Sequence, residues 1–153
     1  MALLHVTDLK VHFHTRNGVV PAVDGISFRV EAGKTLGIIG ESGSGKSLTA
    51  LAVLGLLPHG ARIAGGSVRF VGRDLSTLSG RQMRAVRGKE IAMVFQEPMT
   101  ALNPLFTLGE QIAEVLQWKT GLSRGAAWAL PVPASIETGS VVVMIPLIDV
   151  SRK

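Results

Sequence analysis

Thr35-Leu36-Gly37-Ile38-Ile39-Gly40-Glu41-Ser42-Gly43-Ser44-Gly45-Lys46-Ser47 is the stretch whose reading decides the fold. Its first five residues form a short apolar run of the kind expected of a fully buried strand. The rest has the spacing G-x-x-x-x-G-K-S, and each position has a task in holding phosphate. Glycines admit positive φ and let backbone N–H groups approach phosphate oxygens closely. Lys46 offers a point charge to the β- and γ-phosphates, and Ser47 a hydroxyl ligand for Mg²⁺. Lys46 to Leu57 reads as a helix closed by Pro58 and Gly60. Its first N–H groups and the positive end of its dipole point toward the same phosphates. A strand before the loop and a helix after it separate a P-loop from a Gly/Ser linker that happens to contain Gly-Lys-Ser. The expected phosphate-binding residues are Gly40, Glu41, Ser42, Gly43, Ser44, Gly45, Lys46 and Ser47.

Working outward, Leu3 to Phe13 alternates loosely and reads as a strand, and Arg16-Asn17-Gly18 as a turn. Ala22 to Val30 reads as a second strand with Gly25 as a candidate bulge, and Glu31-Ala32-Gly33-Lys34 as another turn. Downstream, Ser67 to Val71 is strand-like. Ser79 with Gln82 has the capping-box spacing, which predicts a helix to Arg87 that stops at Gly88. Ile91 to Phe95 is a second buried-type strand. Thr107 with Glu110 is a second capping box, opening a helix on which Leu108, Ile112, Val115 and Leu116 share a face. The order of elements predicts an α/β nucleotide-binding core with an antiparallel β flank.

The chain has 153 residues, 46% of them hydrophobic and 18% charged, enough to bury a core and too apolar for a disordered chain. It has no cysteine, which excludes disulfides and thiolate zinc sites. The net charge is +5. Only Arg81, Arg84, Arg87 and Lys89 cluster, as one solvated helix face and its end, and no aromatics interleave with them, so no nucleic-acid partner is expected. The apolar runs Leu48 to Leu57 and Val141 to Ile148 fall short of the roughly 20 residues of a spanning helix. Met1 to Lys10 does not read as a signal peptide.

Gln96 ends the second buried-type strand, a position from which a side chain can ligate Mg²⁺ and orient an attacking water. The run Val94-Phe95-Gln96-Glu97-Pro98-Met99-Thr100-Ala101-Leu102-Asn103-Pro104 closely resembles the Q-loop of ABC transporter ATPases, and in particular those of dipeptide and oligopeptide importers. The P-loop and the following Ala50-Leu51-Ala52-Val53-Leu54-Gly55-Leu56-Leu57-Pro58 are similar to the same branch. The resemblance spans about Leu3 to Ser123 and implies an ABC-type P-loop core in which the helical subdomain, opened by Thr107 to Lys119, is begun and the catalytic half is absent.

It further implies ATP and Mg²⁺ as cofactors, Ser47 and Gln96 as Mg²⁺ ligands, and Phe13 as an adenine-stacking residue. On its own residues Phe13 reads equally well as a core-facing strand phenylalanine. Glu97, Pro98, Met99, Thr100, Ala101, Leu102, Asn103 and Pro104 would face a transmembrane permease subunit. Other implied partners are a second ABC ATPase subunit, in a homo- or heterodimer, and indirectly a solute-binding protein. The implied location is peripheral, on the cytoplasmic face of the membrane.

Three further motifs of that family are not found: the signature Leu-Ser-Gly-Gly-Gln, a Walker B strand with its Asp and Glu, and a switch His. Leu78-Ser79-Gly80-Arg81-Gln82 looks like a signature but precedes the Q-loop and reads as a helix cap. Val143-Met144-Ile145-Pro146-Leu147-Ile148-Asp149 looks like Walker B, but Pro146 interrupts it and Val150 stands where the Glu belongs. His5, His12, His14 and His59 all come too early for the switch, and His12 and His14 lack further metal ligands. Beyond Arg124 the chain turns Ala/Pro/Val-rich. Residues 1–124 are expected to be the N-terminal part of a nucleotide-binding domain. Residues 125–153 are an unassigned tail of the texture a frameshift or truncation produces, with Val141 to Ile145 strand-like. The functional expectations are an importer ATPase subunit, a nucleotide-binding remnant without hydrolysis, or another P-loop kinase or GTPase. The Q-loop run and the missing guanine-reading Asn-Lys-x-Asp oppose the last.

Overall fold

A computed structural model describes residues 2–95, 102–129 and 141–144. They fall into two units, the first ending at Arg87 and the second running from Gly88 to Met144.

In the first unit, β1 (Ala2–Thr15) and β2 (Gly18–Glu31) form a long antiparallel hairpin closed by Arg16 and Asn17. β3 (Ala61–Phe70) pairs antiparallel with the other side of β1, and the short β4 (Arg73–Asp74) follows, giving the order β2-β1-β3-β4. β2 is therefore an edge strand, which is why it accommodates Pro21. Leu4 and Val6 are buried, then Leu9 and Val11, so the inward phase slips by one residue at Thr7-Asp8. Asp8 takes φ 46°, and the register breaks there on both sides of β1. On β2 the register passes from Ile26 to Asp24, leaving Gly25 as the bulged residue, as the sequence predicts.

α1 (Lys46–Val53) packs on β1 and β2 through a face that buries Thr49, Ala50, Ala52 and Val53. It is shorter than the predicted Lys46 to Leu57. Gly55, at φ 60°, ends it with the paired bonds Leu56 N to Leu51 O (2.8 Å) and Gly55 N to Ala52 O (3.0 Å) of a Schellman motif. A single 3₁₀ turn, Leu75–Thr77, leads to α2 (Gly80–Val86). The Ser79–Gln82 capping box is formed reciprocally, so Leu78 to Gln82 is a helix start. Phe70, Leu9, Val6, Val11, Val53 and Val68 are the most deeply buried side chains of this unit. Each large one contributes about 1.5–3 kcal/mol by burial.

The predicted buried strand Thr35–Ile39 is corrected. Residues 34–40 form no strand, and Leu36, Ile38 and Ile39 are exposed. A strand of this type is buried only where neighbouring strands and helices cover both of its faces, and the described residues do not provide them.

In the second unit, β5 (Ile91–Val94) pairs parallel with β6 (Val141–Met144), the described part of the strand expected at Val141 to Ile145; Ile145 lies outside the described residues. α3 (Leu108–Thr120) starts at a complete Thr107–Glu110 capping box and ends at Gly121, φ 73°. α4 (Arg124–Ala129) packs on α3, with Ala127 against Ala113 and Leu116 and Leu122 beside them. The predicted face of α3 is corrected: Leu116 is buried, but Leu108, Ile112 and Val115 are exposed, because α4 covers the Ala113–Leu116 stripe instead.

Candidate phosphate-binding site

Gly40 to Gly45 joins the irregular residues 34–39 to α1, and the loop backbone is built around glycine. Gly45 is the N-cap of α1 at φ 85°, ψ 4°, with no side-chain cap. A serine or aspartate there would fill the first-turn N–H groups with its own oxygen, whereas glycine leaves them for an external anion. A Cβ at Gly45 would lie 2.8 Å from Ala22 O and 3.1 Å from Val23 Cγ2, so the loop seats directly on β2. A Cβ at Gly40 would lie 2.7 Å from Ser44 Oγ. The first helical turn is reinforced by Thr49, which is buried and donates to Gly45 O from both its backbone N (2.8 Å) and its Oγ1 (2.9 Å).

Lys46 folds back over the loop. Its Nζ donates to Gly40 O (2.6 Å), Glu41 O (2.7 Å) and Ser44 Oγ (3.2 Å), which holds the ammonium at the mouth of the cradle. Ser47 is exposed on the first turn of α1. A lone hydroxyl suits Mg²⁺, which keeps waters and substrate phosphates as most of its six oxygens and takes few protein ligands. No group of three His, Cys, Asp or Glu that could hold a metal by itself occurs among the described residues. The donor set thus fits a phosphate chain carrying its own Mg²⁺.

Phe13 is half-buried on β1, in register with Val20 and Ala61. It lies one strand repeat, about 7 Å, beyond Val11, whose partner Val23 borders Gly45. Phe13 therefore lies on the same sheet against which the cradle loop seats. Gln96, Glu97, Pro98, Met99, Thr100 and Ala101 lie outside the described residues, as do Pro146, Asp149 and Val150 of the Walker B look-alike.

Leu102, Asn103 and Pro104 are exposed in the second unit and belong to a turn that sequence reasoning missed. Gln111 on α3 accepts from Asn103 N (2.9 Å) and donates to Asn103 O and Phe106 O (3.0 Å each). A second missed residue is Arg87. Read in the sequence as part of a solvated basic face, it instead donates from Nε to Leu54 O and from Nη2 to Gly55 O, each at 2.6 Å. Burial, followed by repulsion from Arg84, lowers its pKa from the ordinary arginine value.

Residues 23–141 match the family model described as ABC transporter. The chain belongs to the ABC transporter family. Among curated relatives, this ABC transporter chain is 53% identical over 126 residues to "Probable peptide ABC transporter ATP-binding protein y4tR" of Sinorhizobium fredii, covering 82% of itself and 38% of that protein. It is 50% identical to the oligopeptide transport ATP-binding protein OppD of Salmonella typhimurium (82% and 37% covered) and 47% to the dipeptide transport ATP-binding protein DppD of Haemophilus influenzae (82% and 38%). The chain thus spans less than two-fifths of the length of these relatives. The ABC fold is also that of the dimeric cassette MJ0796, with TM-score 0.70, 21% identity and 82% and 52% coverage. The ADP- and phosphate-bound dimer of MJ0796 gives TM-score 0.69 at 22% identity, covering 81% and 53%.

Proposed function

We propose that this chain is the ATP-binding portion of an ABC importer subunit that couples ATP binding and hydrolysis to uptake of di- or oligopeptides. The observation that carries the reading is the glycine-capped start of α1 with the Lys46 ammonium held at its mouth. Lys46 exchanges the Gly40 and Glu41 carbonyls for the β- and γ-phosphates, and the N–H groups of α1 bind the same oxygens. Mg²⁺, when bound, neutralises phosphate charge, with Ser47 and Gln96 as its protein ligands. Phe13 stacks on adenine. The names of the curated relatives support peptide as the cargo class.

Residues 1–124 are proposed as the nucleotide-binding portion, with 125–153 left as an unassigned tail. Glu97, Pro98, Met99, Thr100, Ala101, Leu102, Asn103 and Pro104 are proposed to contact a transmembrane permease subunit. A second ATPase subunit completes the dimer at the cytoplasmic face of the membrane, and a solute-binding protein is an indirect partner. No helix among the described residues is long and apolar enough to cross a membrane.

A second reading, a nucleotide-binding remnant without turnover, is favoured by the absence of a water-polarising Glu after Asp149. Titration of the purified chain with Mg·ATP tests both. Binding that Lys46→Ala weakens about tenfold or more, with negligible steady-state phosphate release, is expected of the chain alone. Absence of ATP binding overturns the assignment, and turnover lost in Lys46→Ala overturns the remnant reading.

A further inference from the structure

We infer that Arg87 is a positioning residue for the phosphate cradle, acting through the far end of α1; this rests on the reading of residues 40–47 as a phosphate site. α1 has only eight residues, about 12 Å of helix, and a helix this short does not hold its shape without tertiary support. Its N-terminal end is the cradle, where Gly45 seats on β2 and no side chain caps the N–H groups. Residues 34–40 leading into the loop form no strand. The orientation of the cradle therefore depends on how α1 is fixed at its buried face and at its C-terminal end.

Arg87 supplies the second anchor. It is the C-cap of α2, with its own N–H bound to Met83 O. Its guanidinium crosses to α1's end and takes the Leu54 and Gly55 carbonyls on two different nitrogens. The forked, rigid donor set fixes direction as well as distance, which a single ammonium cannot do. The charge also lies at the negative end of the α1 dipole. The junction is close-fitting: a Cβ at Gly55 would lie 3.1 Å from Arg87 Nη2 and 3.7 Å from Met83 Cε. Leu54 itself is buried, so the anchored segment is continuous with the core beneath α1.

The test compares Arg87→Met, Arg87→Lys and wild type by Mg·ATP titration calorimetry, by denaturant midpoint, and by amide exchange at α1 and at β1 and β3. Arg87→Met is expected to weaken ATP binding about tenfold or more, and Arg87→Lys to recover part of that loss. Faster exchange is expected at Thr49 and Ala50 with little change at β1 and β3. A purely structural role would speed exchange uniformly and leave the ATP affinity of the folded protein unchanged. Wild-type affinity in Arg87→Met, measured where it is folded, overturns the inference. If Arg87→Met does not fold, wild-type affinity in Arg87→Lys overturns it, and weakened binding at a near-wild-type midpoint supports it. If wild type itself fails to bind ATP, the reading of the cradle is what falls, and this inference falls with it.

Discussion

At the scale of single residues, the cradle depends on one cation and one bare backbone. Removing the charged donor in Lys46→Ala forfeits charge-assisted bonds worth about 1.5–3 kcal/mol. ATP affinity should fall roughly tenfold or more, read by calorimetric titration. Gly45→Ala tests the backbone. Its φ of 85° disfavours any Cβ by about 1–2 kcal/mol, and the new methyl would press on Ala22 O at 2.8 Å. An unfolding free energy lowered by at least ~1 kcal/mol, measured by denaturant titration, is expected, with ATP binding impaired as well.

Glu110 is a pH-sensitive cap. The backbone and hydroxyl hydrogen bonds from Thr107, aided by Arg124, hold its carboxyl below the usual glutamate range. Because the folded value is the lower one, its contribution is complete above the ordinary value of about 4.3. It is lost as pH falls through the lowered folded value. Protection of the first-turn amides of α3, taken relative to their intrinsic exchange rate at each pH, should therefore fall in that acid window. Glu110→Gln, which keeps an accepting oxygen, should remove the pH dependence.

At the scale of elements, what could be read in the sequence was local and what could not was relational. Both capping boxes were legible because donor and acceptor lie three residues apart on the same chain segment. The bulge at Gly25 was legible for a similar reason. β1 looked only loosely alternating because the bulge at Asp8 resets its inward phase between Val6 and Leu9, and a fixed two-residue period cannot show that. Leu36, Ile38 and Ile39 have buried-strand chemistry, yet their burial depends on what covers them, which no local pattern encodes. Arg87 left no signal, since its partners are main-chain carbonyls more than thirty positions away.

The β3–β4 turn makes a prediction at this scale. Val71 and Gly72 both take positive φ, 47° and 78°, the pattern of a type I′ hairpin, for which Asn-Gly is preferred. Val71 is exposed and β-branched, so Val71→Asn should raise the unfolding free energy, read by denaturant titration, by about 0.5–1 kcal/mol.

For the whole molecule, the family reading rested on two short motifs, and only the P-loop falls within the described residues; the Q-loop glutamine does not. Exposed apolar side chains are the molecule's chief liability. Ile39 is 77% exposed and Leu105 86%. Exposed apolar side chains of this kind favour self-association. Light scattering on warming should rise with protein concentration, and Ile39→Lys should reduce it if the 35–39 run is the adhesive segment.

The Lys46 ammonium already sits among three oxygens before any phosphate arrives. A free lysine side chain loses up to about 2 kcal/mol of rotamer freedom when it is pinned, and here that ordering belongs to folding rather than to binding. Capture of a phosphate is then a swap of ligands around a stationary cation. Its heat should be small relative to the number of bonds formed, because as many are broken. The loop's own carbonyls act as an internal competitor for the cation, which sets a ceiling on phosphate affinity.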